Sequence, residues 1–206
     1  MLTFLRRQAP RALLRKLRRT VGDHFLHLRR MNQFLHQRDE FIAAGGGKRF
    51  EIGYDFPCLD DDKKRIPFEP HYFYHPAWAA RILRETAPAR HVDISSSFVF
   101  VGWVSAICPT EYYEYQPPEV KLDGLTVGRA DLCALPFADH SIHSLSSMHV
   151  VEHVGLGRYG DKPDPDGDIK AAEEIERVLA AGAHFLFVAP MAERSRIEFN
   201  AHRIYS

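Results

Sequence analysis

Two histidines and a glutamate stand close together in the string His149-Val-Val-Glu152-His153. The H-x-x-E-H spacing is that of inverted zinc peptidases, in which both histidines face one metal from a single helix. Here residues 141–148 have the pattern of a strand, and two glycines follow the motif, so there is room for about one helical turn. The pattern favours polar residues at a strand exit over a zinc hydrolase.

A second pair of histidines, His71 and His75, is also separated by about one helical turn. Such a pair can supply two metal ligands from one helix face. The residues between the two histidines are Tyr-Phe-Tyr, which favours a packed helix start or a lid. The sequence alone therefore assigns no metal ligands.

An acidic stretch follows the first motif, with aspartates at positions 161, 164, 166 and 168. Two prolines interrupt the stretch and no glutamate closes it, so its spacing is not that of a calcium-binding EF-hand loop. Turn formation and helix capping account for most of these aspartates. An acidic loop that lines a site is the alternative interpretation.

Short apolar segments alternate with helical stretches from residue 90 onward, which predicts an α/β fold: a Rossmann-like, mostly parallel sheet with flanking helices. Strands are predicted at residues 91–95, 111–115, 125–131, 142–151 and 184–190, and helices at 71–85, 98–107 and 168–181. The β-branched content of 98–107 also allows a strand, and Gly182 takes the place of a glycine that ends a helix. Ligands bind beyond the carboxyl ends of such strands, here residues 93–97, 114–118, 131–137 and 149–168.

The N-terminal segment is basic and predicts a helix over residues 2–42. Residues 1–49 contain 12 Lys and Arg against three Asp and Glu, so they carry a charge of about +9 and the rest of the chain about −9. A membrane-surface helix on anionic lipid is one interpretation, and a solvated basic helix is the favoured one. The glycines at 45–47 mark a break, which predicts three parts: a basic helical segment at 1–47, an irregular aromatic and proline-rich segment at 48–89, and an α/β domain at 90–206.

Composition predicts a cytoplasmic protein, with contact at the inner membrane face through residues 1–42 as the alternative. The three cysteines have no CxxC spacing, which fits reduced thiols. The longest apolar run, residues 98–108, has 11 residues, whereas a membrane-spanning helix needs about 20. Basic residues interrupt the N-terminus, so no secretory signal is predicted. The chain contains no phosphate-binding P-loop and no nucleic-acid-binding motif, and nucleic acid is not a predicted partner.

Part of the α/β region resembles a known enzyme class. The stretch Asp131-Leu-Cys-Ala-Leu-Pro-Phe-Ala-Asp139 is similar to the segment after the third strand of class I S-adenosylmethionine-dependent methyltransferases. The string Met148-His-Val-Val-Glu-His-Val154 resembles their fourth strand and its exit, and residues 177–190 resemble their next helix and fifth strand. This resemblance covers about residues 90–190.

Three strings more narrowly resemble the uncharacterised family catalogued as domain of unknown function 268. They are His149-Val-Val-Glu-His-Val-Gly-Leu-Gly-Arg-Tyr-Gly160, Asp164-Pro-Asp-Gly-Asp168 and Phe199-Asn-Ala-His-Arg-Ile-Tyr205. These unusual strings occur in the same order, so the match is specific. It adds little about function, because that family is itself poorly defined.

The methyltransferase resemblance implies a set of residues that bind the cofactor, S-adenosylmethionine. Those at the exit of the first strand would lie near the amino-acid end of the cofactor, and an acid at the end of the second strand would accept both ribose hydroxyls. The segment after the third strand would lie beside the adenine. The implied residues are, in that order, Asp93, Ser95 and Ser96, then Glu114, then Asp131 and Leu132.

The same resemblance implies catalytic residues at the mouth of the active site, namely His149, Glu152 and His153. His149 or Glu152 would act as a general base on an acceptor hydroxyl. The implied function is methyl transfer to a small hydroxylated or glycan-type acceptor.

Two features depart from the methyltransferase pattern. The first loop of that class is glycine-rich so that its backbone can approach the cofactor, whereas this chain has Ser95-Ser96-Ser97 there and its first glycine is Gly102. The sheet of that class has seven strands, and this one would be short by up to two, leaving an exposed edge that favours a homodimer. The alternative function is therefore a catalytically inactive, methyltransferase-like binding or scaffold protein.

Overall fold

The computed structural model describes residues 2–62 and 66–206, and the chain forms two compact units, Met1–Pro67 and Phe68–Ser206. In the first unit, α1 (Leu2–Ala43) confirms the predicted N-terminal helix. It ends next to the glycine run, where Gly45 takes a φ of +97°, a left-handed conformation that favours glycine.

None of the described helices is long and apolar enough to cross a lipid bilayer. The predicted part boundaries after residues 47 and 89, and the membrane-surface contact of α1, stay predictions.

Two ion pairs hold the segment after the glycines against α1 within this first unit. Arg38 Nε lies 2.7 Å from Asp55 Oδ1, and Arg30 contacts Asp60. These side chains are partly or largely exposed, so each pair contributes little stability, about 0–1 kcal/mol.

The second unit is an α/β sandwich that confirms the predicted Rossmann-like class. Five strands form one parallel sheet in the order β3-β2-β1-β4-β5, and a short antiparallel hairpin, β6-β7, follows. The winding of the sheet reverses between β1 and β4, and open sheets of this kind bind ligands at that switch point. The elements in chain order are α2 (Pro70–Thr86), β1 (His91–Ile94), α3 (Phe98–Val104), β2 (Thr110–Glu114), β3 (Leu125–Arg129), β4 (Ile142–Met148), a 3-10 turn (Val151–His153), α4 (Gly167–Val178), β5 (Leu179–Val188), β6 (Arg196–Glu198) and β7 (His202–Ile204).

Helices cover both faces of this sheet, and every residue of the central strand β1 is buried. One apolar cluster lies on the α4 face and includes Val92, Leu145, Ile175 and Val178. The other lies on the face of α2 and α3 and includes Ala79, Leu83, Phe100, Val101 and Val104. The segment for which the sequence allowed either a helix or a strand is therefore the buried helix α3.

The junction of α4 and β5 corrects the sequence prediction. The helix ends at Val178 and the strand begins at the next residue, so Gly182 lies inside β5 and does not end the helix. Ile142 pairs with Leu179 but Ser144 pairs with His184, so the chain bulges between these pairs. Gly182 has a φ of +74°, which a strand bulge can require and which glycine adopts without steric cost.

Candidate functional site

A cavity of about 440 Å³ opens at the carboxyl ends of β1, β2, β3 and β4, within the size range of small-molecule sites. It lies at the edge of the sheet where the sequence predicts a site. Of the predicted residues, six line this cavity: Ser95, Glu114, Asp131, Leu132, His149 and His153. The other three are buried: Asp93, Ser96 and Glu152.

Glu114 ends β2 and presents a carboxylate whose orientation is fixed by two donors. Tyr115 N donates to Oε1 at 2.7 Å, and the Tyr112 hydroxyl donates to Oε2 at 2.9 Å. Burial raises the pKa of Tyr112, so this hydroxyl keeps its proton. Each carboxylate oxygen can accept a second hydrogen bond, so Glu114 can bind a ligand that offers two hydroxyl groups.

The loop after β1 turns without a glycine. Ser95 has a φ of +56°, a left-handed conformation that costs a residue with a Cβ about 1–2 kcal/mol. Neighbouring strands hold it there, because Ser95 N donates to Tyr113 O at 2.8 Å and Met148 N donates to Ser96 Oγ at 3.0 Å. The serine loop therefore makes the turn for which glycine is the usual residue.

Asp93 does not line the cavity, because its side chain belongs to a fully buried polar network. Its Oδ1 accepts from Ser96 N at 3.0 Å, and its Oδ2 accepts from the Ser146 hydroxyl. Ser146 has one proton, so its oxygen must accept from His91 Nε2, 2.8 Å away, and His91 Nδ1 in turn accepts from Ser144 Oγ at 2.8 Å. Burial lowers the pKa of His91 to about 4 and raises the pKa of Asp93 to about 6.

Replacing Asp93 by asparagine is expected to change how stability depends on pH. The pKa of Asp93 is about 6 in the folded protein and 3.8 ordinarily, so the folded state keeps this proton to higher pH. The wild type therefore loses stability as the pH rises through this window, and Asp93→Asn does not. Any cost of the amide itself is the same at both pH values. The unfolding free energy of Asp93→Asn, relative to that of the wild type, should therefore rise by about 2 kcal/mol between pH 4 and pH 8. Urea unfolding at both pH values measures it, and a constant difference contradicts the buried-charge assignment.

The segment after β3 forms an apolar and acidic wall of the cavity. Asp131 is exposed, and Cys133 N donates to its Oδ1 at 2.9 Å, which fixes the carboxylate in a tight turn. Leu132 is buried beside it, and Phe98 from α3 also lines the cavity. A flat, largely apolar group with hydrogen-bond donors at its edge fits this wall.

The H-x-x-E-H motif lies at the exit of β4 and not on an α-helix, because only residues 151–153 form a 3-10 turn. His149 has a left-handed φ of +61°, as Ser95 does, and residues strained in this way cluster at functional sites. His149 Nδ1 lies 2.8 Å from Glu152 Oε1, and His153 Nε2 lies 3.9 Å from the same oxygen. The two histidines therefore both approach the buried glutamate, unlike the paired ligands of an inverted zinc peptidase.

His153 reaches the cavity with one ring nitrogen already bonded. A carbonyl oxygen can only accept, so Nδ1 of His153 donates its proton to Ala201 O, 2.6 Å away, and Nε2 carries the lone pair. Burial lowers the pKa of His153, and Arg158 and His202 lower it further, whereas the Ala201 carbonyl and Glu152 raise it. The imidazole is therefore neutral at neutral pH and can accept a proton.

The acidic stretch forms a turn that reaches the cavity through Asp161. Its carboxylate accepts from the backbone N–H groups of Gly155 at 2.8 Å and of Gly157 and Tyr159 at 3.2 Å. Burial raises the pKa of Asp161, but these hydrogen bonds outweigh it and hold the pKa below its usual value. Asp164, by contrast, accepts from Asp166 N and contacts Lys170, as expected for a turn.

Two further residues of the site are missing from the sequence prediction. Tyr112 holds the Glu114 carboxylate, but in the sequence it is one tyrosine of an ordinary strand pattern. Arg203 is 5% exposed, and its guanidinium donates to Val154 O at 2.6 Å and to Pro165 O at 3.1 Å. It therefore ties β7 to the turn beside the cavity, and its only signal is its place in the string 199–205.

The structure also places the second histidine pair beside the first motif. His71 and His75 lie on α2, and their rings are 4.5 Å and 5.1 Å, between centroids, from the ring of His149. His75 is 9% exposed. The sequence predicts each pair separately and gives no sign that they meet.

No curated protein matches the chain. One chain from a solved complex between the Haloferax volcanii Trm112 methyltransferase activator and a protein described as a methyltransferase is similar at 19% identity and a TM-score of 0.39, over 58% of this chain and 62% of that one. A protein described as a sarcosine dimethylglycine methyltransferase from Galdieria sulphuraria is similar at 16% identity and a TM-score of 0.37, over 70% of this chain and 54% of that one. This chain thus spans less than two thirds of the length of either.

A family model matches the last third of the chain, including the H-x-x-E-H motif and Arg203. The predicted narrower resemblance is thereby confirmed for that region. Residues 137–206 match the family described as Caenorhabditis protein of unknown function, DUF268.

Proposed function

We propose that this protein is an S-adenosylmethionine-dependent methyltransferase. The observation that carries the proposal is the cavity at the switch point of the sheet, with the doubly held carboxylate of Glu114 at the end of β2. A carboxylate in that position suits the adjacent hydroxyl groups of a ribose.

The residues of the cavity fit the other parts of this cofactor as well. Asp131 and Leu132 offer an acceptor and an apolar surface to the adenine, and the Ser95 turn borders the amino-acid end. Three carboxylates line the cavity, those of Glu114, Asp131 and Asp161, which favours a ligand that carries positive charge. When bound, S-adenosylmethionine supplies a methyl group on a positively charged sulfur.

His153 is the residue we assign as general base. His153 lines the cavity, and Nε2 is the nitrogen that can accept a proton, since Nδ1 is held by the Ala201 carbonyl. Nε2 of His153 would take the hydroxyl proton of a hydroxylated or glycan-type acceptor as the acceptor oxygen gains the methyl group, so the positive charge of the sulfonium would end on the His153 imidazolium. Orienting the acceptor beside the methyl group is the larger contribution expected from the protein.

Calorimetric titration of S-adenosylhomocysteine into the full chain tests the proposal. We expect saturable binding that weakens about 10-fold in Asp131→Ala, the equivalent of one charge-assisted hydrogen bond. Asp123→Ala is the matched control, because Asp123 is an exposed aspartate outside the cavity. In an acceptor screen with labelled S-adenosylmethionine, His153→Gln should keep cofactor binding and lose transfer. If the wild type shows no binding at about 1 mM ligand, the proposal fails and the scaffold alternative takes its place.

A further inference from the structure

Three imidazoles from two distant parts of the chain meet beside the cavity. The metal-binding nitrogens of His71, His75 and His149 all lie within 4.8 Å of one another, and Nε2 of His71 contacts Nε2 of His149. In a tetrahedral zinc site the ligand nitrogens are about 3.4 Å apart, since each Zn–N distance is about 2.0–2.1 Å. The widest of the three separations would therefore have to close by at most about 1.4 Å for the nitrogens to share one ion.

The outer nitrogens of two of these rings are already bonded in the way that metal-ligating histidines require. His149 Nδ1 donates to the Glu152 carboxylate at 2.8 Å, and His75 Nδ1 donates to the carbonyl oxygen of His71 at 2.7 Å. Each bond places the ring proton on Nδ1, so Nε2 of both rings carries a lone pair. Metal-ligating histidines usually donate their other ring N–H to a carboxylate or to a backbone carbonyl, as these two histidines do.

The buried Glu152 carboxylate gives an independent reason for a cation here. The Glu152 side chain is 2% exposed, and among the described residues the only cationic or imidazole groups within 4 Å of its carboxylate are His149 and His153. Its second oxygen, Oε2, has no hydrogen-bond partner among those residues. A buried carboxylate without a cationic partner is costly, and a divalent ion on the far side of the His149 ring supplies the missing positive charge.

We propose that His71, His75 and His149 bind one zinc ion, with Glu152 orienting His149. Three protein ligands leave the fourth position of a tetrahedral zinc open, as in catalytic zinc sites. His149 also lines the cavity, so the proposed ion would lie beside it. A role for the ion in holding the acceptor oxygen rests on the proposed methyltransferase function, whereas zinc binding itself does not.

Zinc binding can be measured on the full chain, purified without a polyhistidine tag and stripped with a chelator. Titration with ZnCl₂ against a chelating dye should show one tight site per chain, and CoCl₂ should give the strong visible absorption of four-coordinate cobalt. His149→Ala and the double variant His71→Ala/His75→Ala should lose the tight site. Glu152→Gln should keep it with about 10- to 100-fold lower affinity.

Matched controls separate this site from the other histidines of the chain. The exposed pair on α1 is removed in His24→Ala/His27→Ala, and the exposed histidine of β4 is removed in His143→Ala. Both should bind zinc as the wild type does. Zinc should raise the melting temperature of the wild type and of these controls, and not that of the ligand variants, whose metal-free melting temperatures report their folding.

Two results overturn the zinc site: no stoichiometric zinc in the wild type, or equal affinity in the ligand variants and the wild type. Titration of S-adenosylhomocysteine in the same samples keeps the two proposals apart. Tight zinc binding without S-adenosylhomocysteine binding overturns the proposed function and supports the zinc site. S-adenosylhomocysteine binding without zinc binding overturns the zinc site alone.

Discussion

Replacing Glu114 by glutamine is expected to weaken S-adenosylhomocysteine binding by about 100-fold. The carboxylate accepts from Tyr115 N and from the Tyr112 hydroxyl and retains one lone pair on each oxygen for the ribose. Glutamine keeps one acceptor oxygen and replaces the other by a donor, so at least one ribose hydroxyl loses its acceptor and the other loses its charged partner. Two charge-assisted hydrogen bonds lost or weakened cost about 3 kcal/mol together, which is about 100-fold in affinity.

The strand β2 offers a closely matched control for this variant. Glu111 also accepts from a tyrosine two positions away, since the Tyr113 hydroxyl lies 3.2 Å from its Oε2, and its Oε1 accepts from Arg90 at 3.2 Å. It does not line the cavity. Glu111→Gln should therefore bind S-adenosylhomocysteine as the wild type does. If Glu114→Gln also binds within about threefold of the wild type, Glu114 is not a ribose ligand.

Replacing Gly155 by alanine is expected to destabilise the second unit by about 3 kcal/mol or more. Gly155 has a φ of +78°, and a Cβ built there would lie 2.1 Å from the carbonyl oxygen of Asp164. The left-handed conformation alone costs an alanine about 1–2 kcal/mol, and the obstructing atom belongs to the backbone, so no side chain can move aside. The turn that carries Asp161 to the cavity must then shift, and cofactor binding should fall with stability.

Two other glycines separate the contributions to this effect. Gly157 has a similar φ of +71°, but a Cβ built there would lie 3.7 Å from the nearest atom, which is an ordinary contact. Gly157→Ala should therefore cost only the energy of the left-handed conformation, about 1–2 kcal/mol. A Cβ built at Gly102 in α3 would meet no described atom within 4 Å outside its chain neighbours and its own helix backbone. Gly102→Ala should therefore be neutral or stabilising by up to about 1 kcal/mol. Urea unfolding of the three variants gives the order, and a Gly155→Ala protein as stable as Gly157→Ala contradicts the clash.

The sequence predicts the α/β core well because its signals are local. The continuous apolar run Phe185–Val188 predicts a strand buried on both faces, and the strand forms as β5, but Phe187 is 42% exposed because β5 lies at the edge of the sheet. The helical spacing of apolar residues predicts α4, and the predicted face is right at Ile175 and Val178 and wrong at Ile169, which is exposed. The five predicted strands begin and end within three residues of those observed, except that β5 begins five residues earlier than predicted. The rule that ligands bind beyond the carboxyl ends of parallel strands then locates the cavity without any structure.

The features that the sequence does not predict depend on tertiary geometry. The bulge at Gly182 arises from pairing with β4, so the local pattern reads as a glycine at a helix end. The strands β6 and β7 have three residues each, too short for an alternating pattern to show. The methyltransferase resemblance implies that Asp93 binds the cofactor, but Asp93 accepts hydrogen bonds in the interior from Ser96 N and from Ser146 of β4. The contact with β4 cannot be inferred from spacing.

The way α2 is attached has a consequence for local unfolding. Its second half is anchored by Ala79 and Leu83, both fully buried, whereas the aromatic residues of its first turns are more than half exposed. His71 and His149 are 78 positions apart in the chain, so their contact joins the exposed first turns of α2 to the end of β4. Fraying of those turns can therefore separate the histidines while the sheet stays intact. Any ion or ligand that requires all three imidazoles adds its binding free energy to the cost of that opening. Amide hydrogen exchange at the start of α2 should therefore slow when such a ligand binds the three histidines.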